Sequence, residues 1–424
     1  MNIVGYFRAN FGLGGSGRLM ARSLDEVGLP YHALTADHLA KVHHMTPGAA
    51  VKESDRIFPI TLFCVDALHI PVMIYQLRRK KIHETYMIAL WYWETTEIPT
   101  KRLQALDSVE EVWVTTRYML EHLQGKTKAL VRLIPQPVEV PKSNLSTTKA
   151  DFGLSNDYLY LFCFDCHSSF ARKNPEAIIQ AFKQAFPNNE RVQLVIKSQN
   201  ANHYPHLMNP LLKSIENDPR IKWMDVSLDI NKQFELIKVC DCYVSLHRSE
   251  GFGLSLAEAM QLGKPVIATG YSGNMDFMND ENGYLCPYKL IPLEQWNGPY
   301  PPLGSWADVD VNKAAFWMRH VFMNPSDAKE KALRGQKLIC TSHSPKCVGE
   351  AIGRELERIV EGKIIGQSNG IRYRKRQIVV HHIKNILRPY YHFLKKAYLA
   401  LRNPKKWVDK KVKEIRSGRL ENLN

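Results

Sequence analysis

The chain has 424 residues, of which 45% are hydrophobic and 23% are charged. This length corresponds to two or more domains, and the apolar content excludes a disordered or low-complexity protein. The net charge of +15 is concentrated in the tail, where residues 362–424 hold 17 Lys and Arg against 3 Asp and Glu. The first 361 residues are therefore close to neutral, and any argument from charge to a polyanionic partner applies to the tail alone.

Strand-like apolar runs alternate with helical patterns in the first part of the chain, which predicts βαβ units and a parallel sheet. The predicted elements, in chain order, are strand Ile3–Tyr6, helix Gly17–Val27 and strands Ile60–Val65, Met87–Trp91, Val112–Thr115 and Leu130–Ile134. Pro135, Pro137 and Pro141 then interrupt the pattern and predict a linker.

The same alternation restarts after the linker and predicts a second domain of the same class. Its strands are Tyr158–Asp165, Val192–Lys197, Ile221–Trp223, Cys242–Leu246 and Pro265–Ala268. Its helices are Pro175–Phe186, Leu207–Asn217, Gln233–Cys240, Leu254–Leu262 and Val311–Phe322.

We therefore predict an α/β protein with two Rossmann-like domains, residues 1–147 and 148–344, that face a ligand-binding cleft. A helix over residues 345–361 is expected to pack back on the N-terminal domain, ahead of the tail at 362–424. The cysteines form no disulfide framework, and the CxxC of Cys163 and Cys166 lacks a second pair, so we expect no zinc. The sequence has neither a signal peptide pattern nor an apolar run of bilayer length, which favours a cytoplasmic protein.

A glycine-rich segment, Gly12–Gly17, follows the first strand. Glycines let backbone amides approach a ligand, and a helix N-terminus favours an anion, so contact of Gly14 and Gly15 with a phosphate or sugar is one interpretation. A dinucleotide site of the GxGxxG type is a second, although its acidic ribose ligand would be Asp37, which follows only a weak strand. A tight turn without a ligand is the third.

Glu250 and Glu258 stand eight residues apart across a predicted strand–turn–helix. Gly251 and Gly253 permit a sharp turn, and the helix that starts near Leu254 has unpaired amides that suit a diphosphate. Glu258 lies about one turn into that helix among apolar residues, where a carboxylate needs a partner. The pattern predicts that Glu258 accepts hydrogen bonds from ribose and Glu250 from a sugar; a solvated surface glutamate is the alternative.

This pair resembles the Glu–x7–Glu motif of the retaining glycosyltransferases of family 4, the glycosyl transferases group 1, which have the two-domain GT-B fold. The similarity covers about residues 1–360. Besides the glycine-rich segment, it lies in Trp91–Glu94, Glu111–Val114, Arg172–Pro175, Gly263–Thr269, Gly270–Phe277 and Glu281–Leu285.

The resemblance implies a nucleotide-diphosphate-sugar donor, no cofactor and no catalytic metal. It implies that Glu250 lies near the donor sugar, that Glu258 binds the ribose, and that Lys173 neutralises the leaving diphosphate. Glu94 would face the cleft and orient or deprotonate the acceptor hydroxyl, with a buried aromatic run as the alternative. The other implied donor contacts are Arg172, His247, Phe252, Gly253, Leu254, Gly273 and Asn274.

The chain departs from the family pattern in its phosphate-binding segment. Many members have an Arg about six residues before the Lys, whereas this chain has His, Ser and Ser at 167–169. We infer that Lys197, predicted to end the next strand, supplies the second cation. Asp308 and Asp310 fit a DxD metal motif, but no strand–turn of that type surrounds them, so we expect no metal there.

The tail alternates basic clusters with apolar residues at helical spacing, which is typical of a basic amphipathic element on an anionic membrane. A protein partner is an alternative, and no nucleic-acid-binding module is recognisable. The repeating apolar positions are Ile383, Leu387, Tyr391, Leu394, Tyr398 and Leu401.

These observations predict a retaining, metal-independent glycosyltransferase that is peripheral on the inner face of the cell membrane. Its acceptor would be a glycan or lipid-linked glycan in bacterial surface polysaccharide biosynthesis. Because no nucleophile is evident, retention implies front-face attack, in which the leaving phosphate accepts the acceptor's proton. The alternatives are an inactive GT-B scaffold that docks partners at the membrane and a nucleotide-sugar epimerase of the same fold.

Overall fold

The computed structural model describes residues 1–9, 11–40, 57–141, 146–188 and 190–366. Most of the predicted amphipathic tail, including its apolar repeat, lies outside the described residues. None of the helices in the described part of the chain combines the length and the apolar character needed to span a membrane.

The N-terminal sheet has six parallel strands in the order β2-β1-β3-β4-β5-β6. Three of them, β1, β3 and β5, are buried along their whole length, and β4 is buried beyond its first residue, as expected for a parallel sheet covered by helices. The strands are β1 Asn2–Gly5, β2 His32–Thr35, β3 Ile60–Cys64, β4 Tyr86–Leu90, β5 Glu111–Val114 and β6 Leu130–Leu133.

The second sheet also has six parallel strands, in the order β12-β11-β10-β7-β8-β9. The strands are β7 Tyr158–Asp165, β8 Val192–Gln199, β9 Ile221–Asp225, β10 Cys242–Ser245, β11 Val266–Thr269 and β12 Tyr284–Cys286. A separate antiparallel hairpin is formed by β13 Tyr288–Pro292 and β14 Ser305–Val309. The predicted α/β class with two Rossmann-like domains is confirmed.

The helices connect the strands and cover the sheets, and several begin at Pro because its missing N–H costs nothing there. They are α1 Gly12–Glu26, α2 Ile70–Gln76, α3 Thr100–Leu106, α4 Arg117–Leu123, α5 Phe170–Lys173, α6 Pro175–Ala185, α7 Pro205–Ile215, α8 Ile230–Val239, α9 Leu254–Gln261, α10 Val311–Met323, α11 Pro325–Ser342 and α12 Pro345–Gly366.

The two halves are joined at a chain crossing beside the cleft. Val138 donates its backbone N–H to the carbonyl of His343 over 2.8 Å, and His343 Nδ1 lies 2.8 Å from the carbonyl of Gln136. After this crossing α12 lies against α1, where Val348 and Ile352 are fully buried. The C-terminal helix therefore contributes to the core of the N-terminal half.

The hairpin β13–β14 carries a long loop, and residues 287–310 together are called the strap. Leu293, Tyr300 and Trp306 of the strap are buried in the same hydrophobic cluster as Trp91 and Trp93 of the N-terminal half. The strap belongs to the second half in sequence but packs its apolar side chains across the cleft. It therefore helps to hold the two halves together.

Candidate active site

The site lies at the switch point of the second sheet. Strands β7, β8 and β9 follow one another to one side, and the chain then returns to place β10 on the other side of β7. In open parallel sheets, ligands bind in the crevice outside the carboxyl ends of the two strands where the order reverses. The loop after β7 leads to Lys173, and the loop after β10 leads to Glu250.

The Glu250 carboxylate lies between two cations. Lys173 Nζ hydrogen-bonds to Oε1, and Arg172 Nη1 lies 3.1 Å from Oε2. Burial opposes the charge of Glu250, but Lys173 and Arg172 outweigh it and lower the pKa of the carboxyl to about 2. Glu250 is therefore an anion at neutral pH, which suits hydrogen-bond acceptance and not proton donation.

Arg172 and Lys173 have different surroundings although they are adjacent at the end of α5. Arg172 is buried and donates to the carbonyl of Ser249 over 2.7 Å. Burial opposes its charge, but Tyr300 and Glu250 raise the pKa of the guanidinium above its ordinary value. Burial lowers the pKa of Lys173, and Glu250 only partly offsets it. Arg172 thus ties the two loops together, and Lys173 is the cation held less firmly.

The N-terminus of α9 opens onto the same crevice. Gly253 has φ of +93°, a left-handed conformation that glycine adopts without strain, and it turns the chain sharply into the helix. No side chain among the described residues caps this helix, and the Phe252 ring is buried below the turn. The amides around Gly253 and Leu254 therefore form an end that favours an anion.

Glu258 lies one turn into α9 and is half-buried. Within the described residues its carboxylate makes neither a hydrogen bond nor an ion pair. Burial raises its pKa to about 8. Its surroundings are thus the opposite of those of Glu250, and the carboxylate lacks the partner that a buried acid needs.

Lys197 does not end its strand, as the sequence indicated, because β8 continues to Gln199. It pairs in register with Cys163 of β7 and is only 5% exposed. Burial lowers the pKa of Lys197, and Cys163 and Asp165 only partly oppose this. The ammonium group forms no hydrogen bond with any described residue, so it is a buried cation near the edge of the crevice.

The loop after β11 shapes the Glu250 turn from behind. Ser272 Oγ accepts the N–H of Glu250 over 2.8 Å, and Gly273 donates its N–H to the carbonyl of Glu250 over 2.9 Å. A Cβ on Gly273 would lie 2.4 Å from the carbonyl oxygen of Gly251, so no side chain fits there. The loop and the turn are therefore packed as one unit.

His247 and Asn274 are fully buried behind this unit. His247 Nε2 lies 3.1 Å from Asn274 Oδ1, and Asn274 Nδ2 donates to the carbonyl of Thr269 over 3.0 Å. Burial lowers the pKa of His247, so the imidazole is neutral. Their side chains face inward and support the loop. The expectation that His247 and Asn274 contact the donor stays a prediction, and their backbone is the part available for it.

Glu94 brings a second carboxylate from the N-terminal half. It follows β4, and its carbonyl accepts hydrogen bonds from Ser249 Oγ and, over 3.0 Å, from Tyr118. Its Oε2 accepts a hydrogen bond of 2.7 Å from Tyr300 of the strap. Sequence reasoning missed Tyr300, which lies 206 residues from Glu94; the aromatic and Pro-rich composition of its loop was the only signal.

Two further contacts close the cleft at the level of the site. Thr116 Oγ1 donates to the carbonyl of Gly251 over 3.1 Å, and the N–H of Arg117 donates to both carboxylate oxygens of Asp276 at 3.1 and 3.0 Å. Burial raises the pKa of Asp276, and the Arg117 amide opposes this. The N-terminal half thus contacts the backbone that carries Glu250.

The glycine-rich segment is part of α1, which begins at Gly12 and not at Gly17. A Cβ on Gly14 would lie 2.5 Å from the carbonyl oxygen of Ala9 and 2.7 Å from that of Tyr6. Gly14 is therefore required for packing of the turn. Gly15 instead faces the other half, since its ideal Cβ position lies 3.9 Å from Leu254 Cδ2.

The DxD residues have structural positions. Asp310 caps α10 by accepting the N–H of Lys313 over 3.0 Å, and Asp308 is exposed on β14. The described part of the chain contains no group of three or more His, Cys, Asp or Glu that could hold a metal ion. Cys163 and Cys166 are free, buried thiols.

A comparison with protein families finds one match around this site. Residues 166–291, which include Lys173, Glu250 and Glu258, match the family model of the glycosyl transferases group 1. This part of the chain is therefore similar to that family. A segment of 84 residues is also 33% identical to sucrose synthase from Nitrosomonas europaea; it makes up 19% of this chain, and the chain spans only 11% of that protein's length.

Solved structures show the same architecture over most of this chain. Sucrose-phosphate synthase from Thermosynechococcus elongatus matches 85% of this chain and 99% of its own at a TM-score of 0.60 and 15% identity. Anabaena HepE in complex with UDP and glucose matches 84% and 100% at a TM-score of 0.59 and 14% identity. A glycosyltransferase from Rickettsia africae matches 85% of this chain and 98% of its own at a TM-score of 0.61 and 15% identity. At these identities the likeness establishes the GT-B fold.

Proposed function

We propose that this protein transfers a sugar from a nucleotide-diphosphate-sugar donor to a hydroxyl group of an acceptor. The observation that carries the proposal lies at the switch point, where Lys173 is paired with Glu250, four residues before the uncapped N-terminus of α9. A fixed cation and a helix N-terminus together suit a diphosphate. The group 1 family match covers these residues.

The donor would lie along the carboxyl edge of the second sheet. Its diphosphate would contact the amides of Phe252, Gly253 and Leu254 and the ammonium of Lys173, with Lys197 as the second cation. Glu258, which has no partner among the described residues, would accept the ribose hydroxyls. Glu250 would accept hydroxyls of the transferred sugar, for which its ionised state is suited.

The reaction would retain the anomeric configuration by front-face attack. The acceptor oxygen forms a bond to the anomeric carbon while the bond from that carbon to the phosphate oxygen breaks. The nucleoside diphosphate leaves with the electron pair, and the proton of the acceptor hydroxyl passes to the leaving phosphate oxygen. Lys173 and the α9 amides would neutralise the charge that grows on the phosphate, which is why we propose that no metal is required.

The acceptor would be a glycan or a lipid-linked glycan of a bacterial surface polysaccharide. The structure of HepE contains UDP and glucose, which makes a UDP-sugar the first donor to test. The basic tail supports a lipid-linked acceptor and attachment to the inner face of the cell membrane, because each Lys or Arg near an anionic surface contributes about 1 kcal/mol.

The purified protein tests this function directly. We expect one nucleoside diphosphate among UDP, GDP and ADP to bind in a calorimetric titration, and the matching nucleotide sugar to be hydrolysed slowly with the configuration retained. A protein that binds none of the three would be the inactive scaffold that the missing phosphate Arg suggests. Formation of a sugar isomer without release of the nucleotide would instead identify an epimerase.

A further inference from the structure

The strap brings a buried tyrosine into the cleft from outside the segment that matches the family model. The match to the family ends at residue 291, within β13, and the strap continues beyond it to residue 310. Its return strand is anchored to the N-terminal half, where Ser305 donates its N–H to Thr96 Oγ1 over 2.9 Å. The strap is therefore hydrogen-bonded to the N-terminal half two residues from Glu94.

Tyr300 is the strap residue that reaches the charged groups. It is 4% exposed, its ring centroid lies 5.1 Å from that of Trp93, and the Arg172 guanidinium lies 5.9 Å from the ring. Its hydroxyl donates to Glu94 Oε2 over 2.7 Å. One side chain thus contacts both the carboxylate of the N-terminal half and the cation that supports Glu250.

The geometry leaves the other carboxylate oxygen of Glu94 available. Within the described residues Oε1 of Glu94 accepts no hydrogen bond, whereas Oε2 is held by Tyr300. When one oxygen of a carboxylate is fixed by a hydrogen bond, the other oxygen points in a defined direction. It can then accept a hydrogen bond from a nearby hydroxyl group. Without the tyrosine hydroxyl the carboxylate would be free to rotate toward Arg172 or Lys173.

We propose that Tyr300 is a positioning residue: it holds Glu94 so that the free oxygen orients the acceptor hydroxyl against the donor sugar. The inference rests on the proposed function. The strap thereby couples the N-terminal half, which would bind the acceptor, to the second half, which would bind the donor. The alignment of the acceptor would then depend on a segment beyond the residues that match the family model.

Tyr300→Phe tests the role because it keeps the ring against Trp93 and Arg172 and removes only the hydroxyl. Hydrolysis of UDP-, GDP- and ADP-glucose by the full chain is the assay, with water as the acceptor. We expect kcat to fall about tenfold while the donor KM changes by less than about twofold. The matched control is Tyr288→Phe on the same strap, since the Tyr288 hydroxyl makes no hydrogen bond to any described residue; it should leave kcat unchanged.

The double variant Tyr300→Phe with Glu94→Gln distinguishes an effect that acts through Glu94 from a general disturbance of the cleft. If Tyr300 acts through Glu94, the double variant is no slower than Glu94→Gln alone. Additive losses, or an unchanged kcat in Tyr300→Phe, overturn the inference and leave the proposed function intact. A wild-type protein that neither binds the three nucleoside diphosphates nor hydrolyses their glucose esters overturns both.

Discussion

Two glycine-containing helix starts, the first turn of α1 and the turn that leads into α9, meet across the cleft at Gly15 and Leu254. The turn before α9 is surrounded by charge, with Glu250 and its two cations on one side and Glu258 below. In the turn before α1, Arg18 donates to the carbonyls of Phe7 and Ala9 over 2.9 and 3.0 Å.

The difference shows that glycine spacing reports on backbone geometry and not on ligand chemistry. Gly14 is required because two carbonyl oxygens occupy the space of its side chain, which needs no ligand. Gly253 is required because α9 begins with a left-handed residue. What distinguishes the α9 turn is the set of charged side chains around it, which come from α5, from the loop after β10 and from α9 itself.

The largest effect is expected from Lys173→Ala, which removes the cation that is hydrogen-bonded to Glu250. We expect kcat for donor hydrolysis to fall about 100-fold or more, because the leaving diphosphate loses its counter-charge. Lys183→Ala is the control, since Lys183 is exposed on α6 and donates to the carbonyl of Ser214. If Lys173→Ala and Lys183→Ala hydrolysed the donor at equal rates, the proposed role of Lys173 would be contradicted.

Gly14→Ala tests whether the α1 turn is structural. A Cβ 2.5 Å from a backbone oxygen forces the turn to shift, and we expect the free energy of unfolding to fall by about 2 kcal/mol. Gly12→Ala is the matched control, because no atom lies within 4 Å of the added Cβ. Chemical denaturation measures both, and equal losses would show that packing does not explain Gly14.

Glu258→Ala tests the ribose contact on the charged turn. We expect the dissociation constant of the bound nucleoside diphosphate to rise about tenfold, as for loss of one hydrogen-bonding partner. Glu330→Ala serves as the control because its side chain is 72% exposed on α11. Calorimetric titration measures the change, and equal affinity in Glu258→Ala and wild type would remove Glu258 from the donor site.

Glu258→Gln gives the smallest effect, a change in the pH dependence of stability. Burial raises the pKa of Glu258 from 4.5 to about 8, so the folded state holds this proton more tightly than the unfolded chain. The wild type therefore loses stability as pH rises between about 4.5 and 8, and the Gln variant does not. After allowance for partial exposure, we expect urea denaturation to show a relative gain for Glu258→Gln of about 1 kcal/mol at pH 8 over pH 5. A constant difference would argue against a buried, unpaired carboxylate.

The sequence by itself determined the α/β class, the two parallel sheets and the Glu250–Glu258 motif. These depend on local patterns: apolar runs of strand length, Gly and Pro at the turns, and acids at a fixed spacing around one strand–turn–helix. Such features are readable because residues within one element share its periodicity. Even there the predicted start of α1, Gly17, was five residues too late. The glycines of this segment were expected to lie before the helix, but they belong to it.

The tertiary structure decided which side chains meet and which way they face. His247 lies three residues before Glu250, yet its ring is turned inward to Asn274, and Lys197 lies within its strand. The pairs that define the charge of the cleft, Lys173 with Glu250 and Tyr300 with Glu94, join residues 77 and 206 positions apart. No periodicity spans such distances. Their contact depends on the order of strands in the second sheet and on the strap that crosses to the other half.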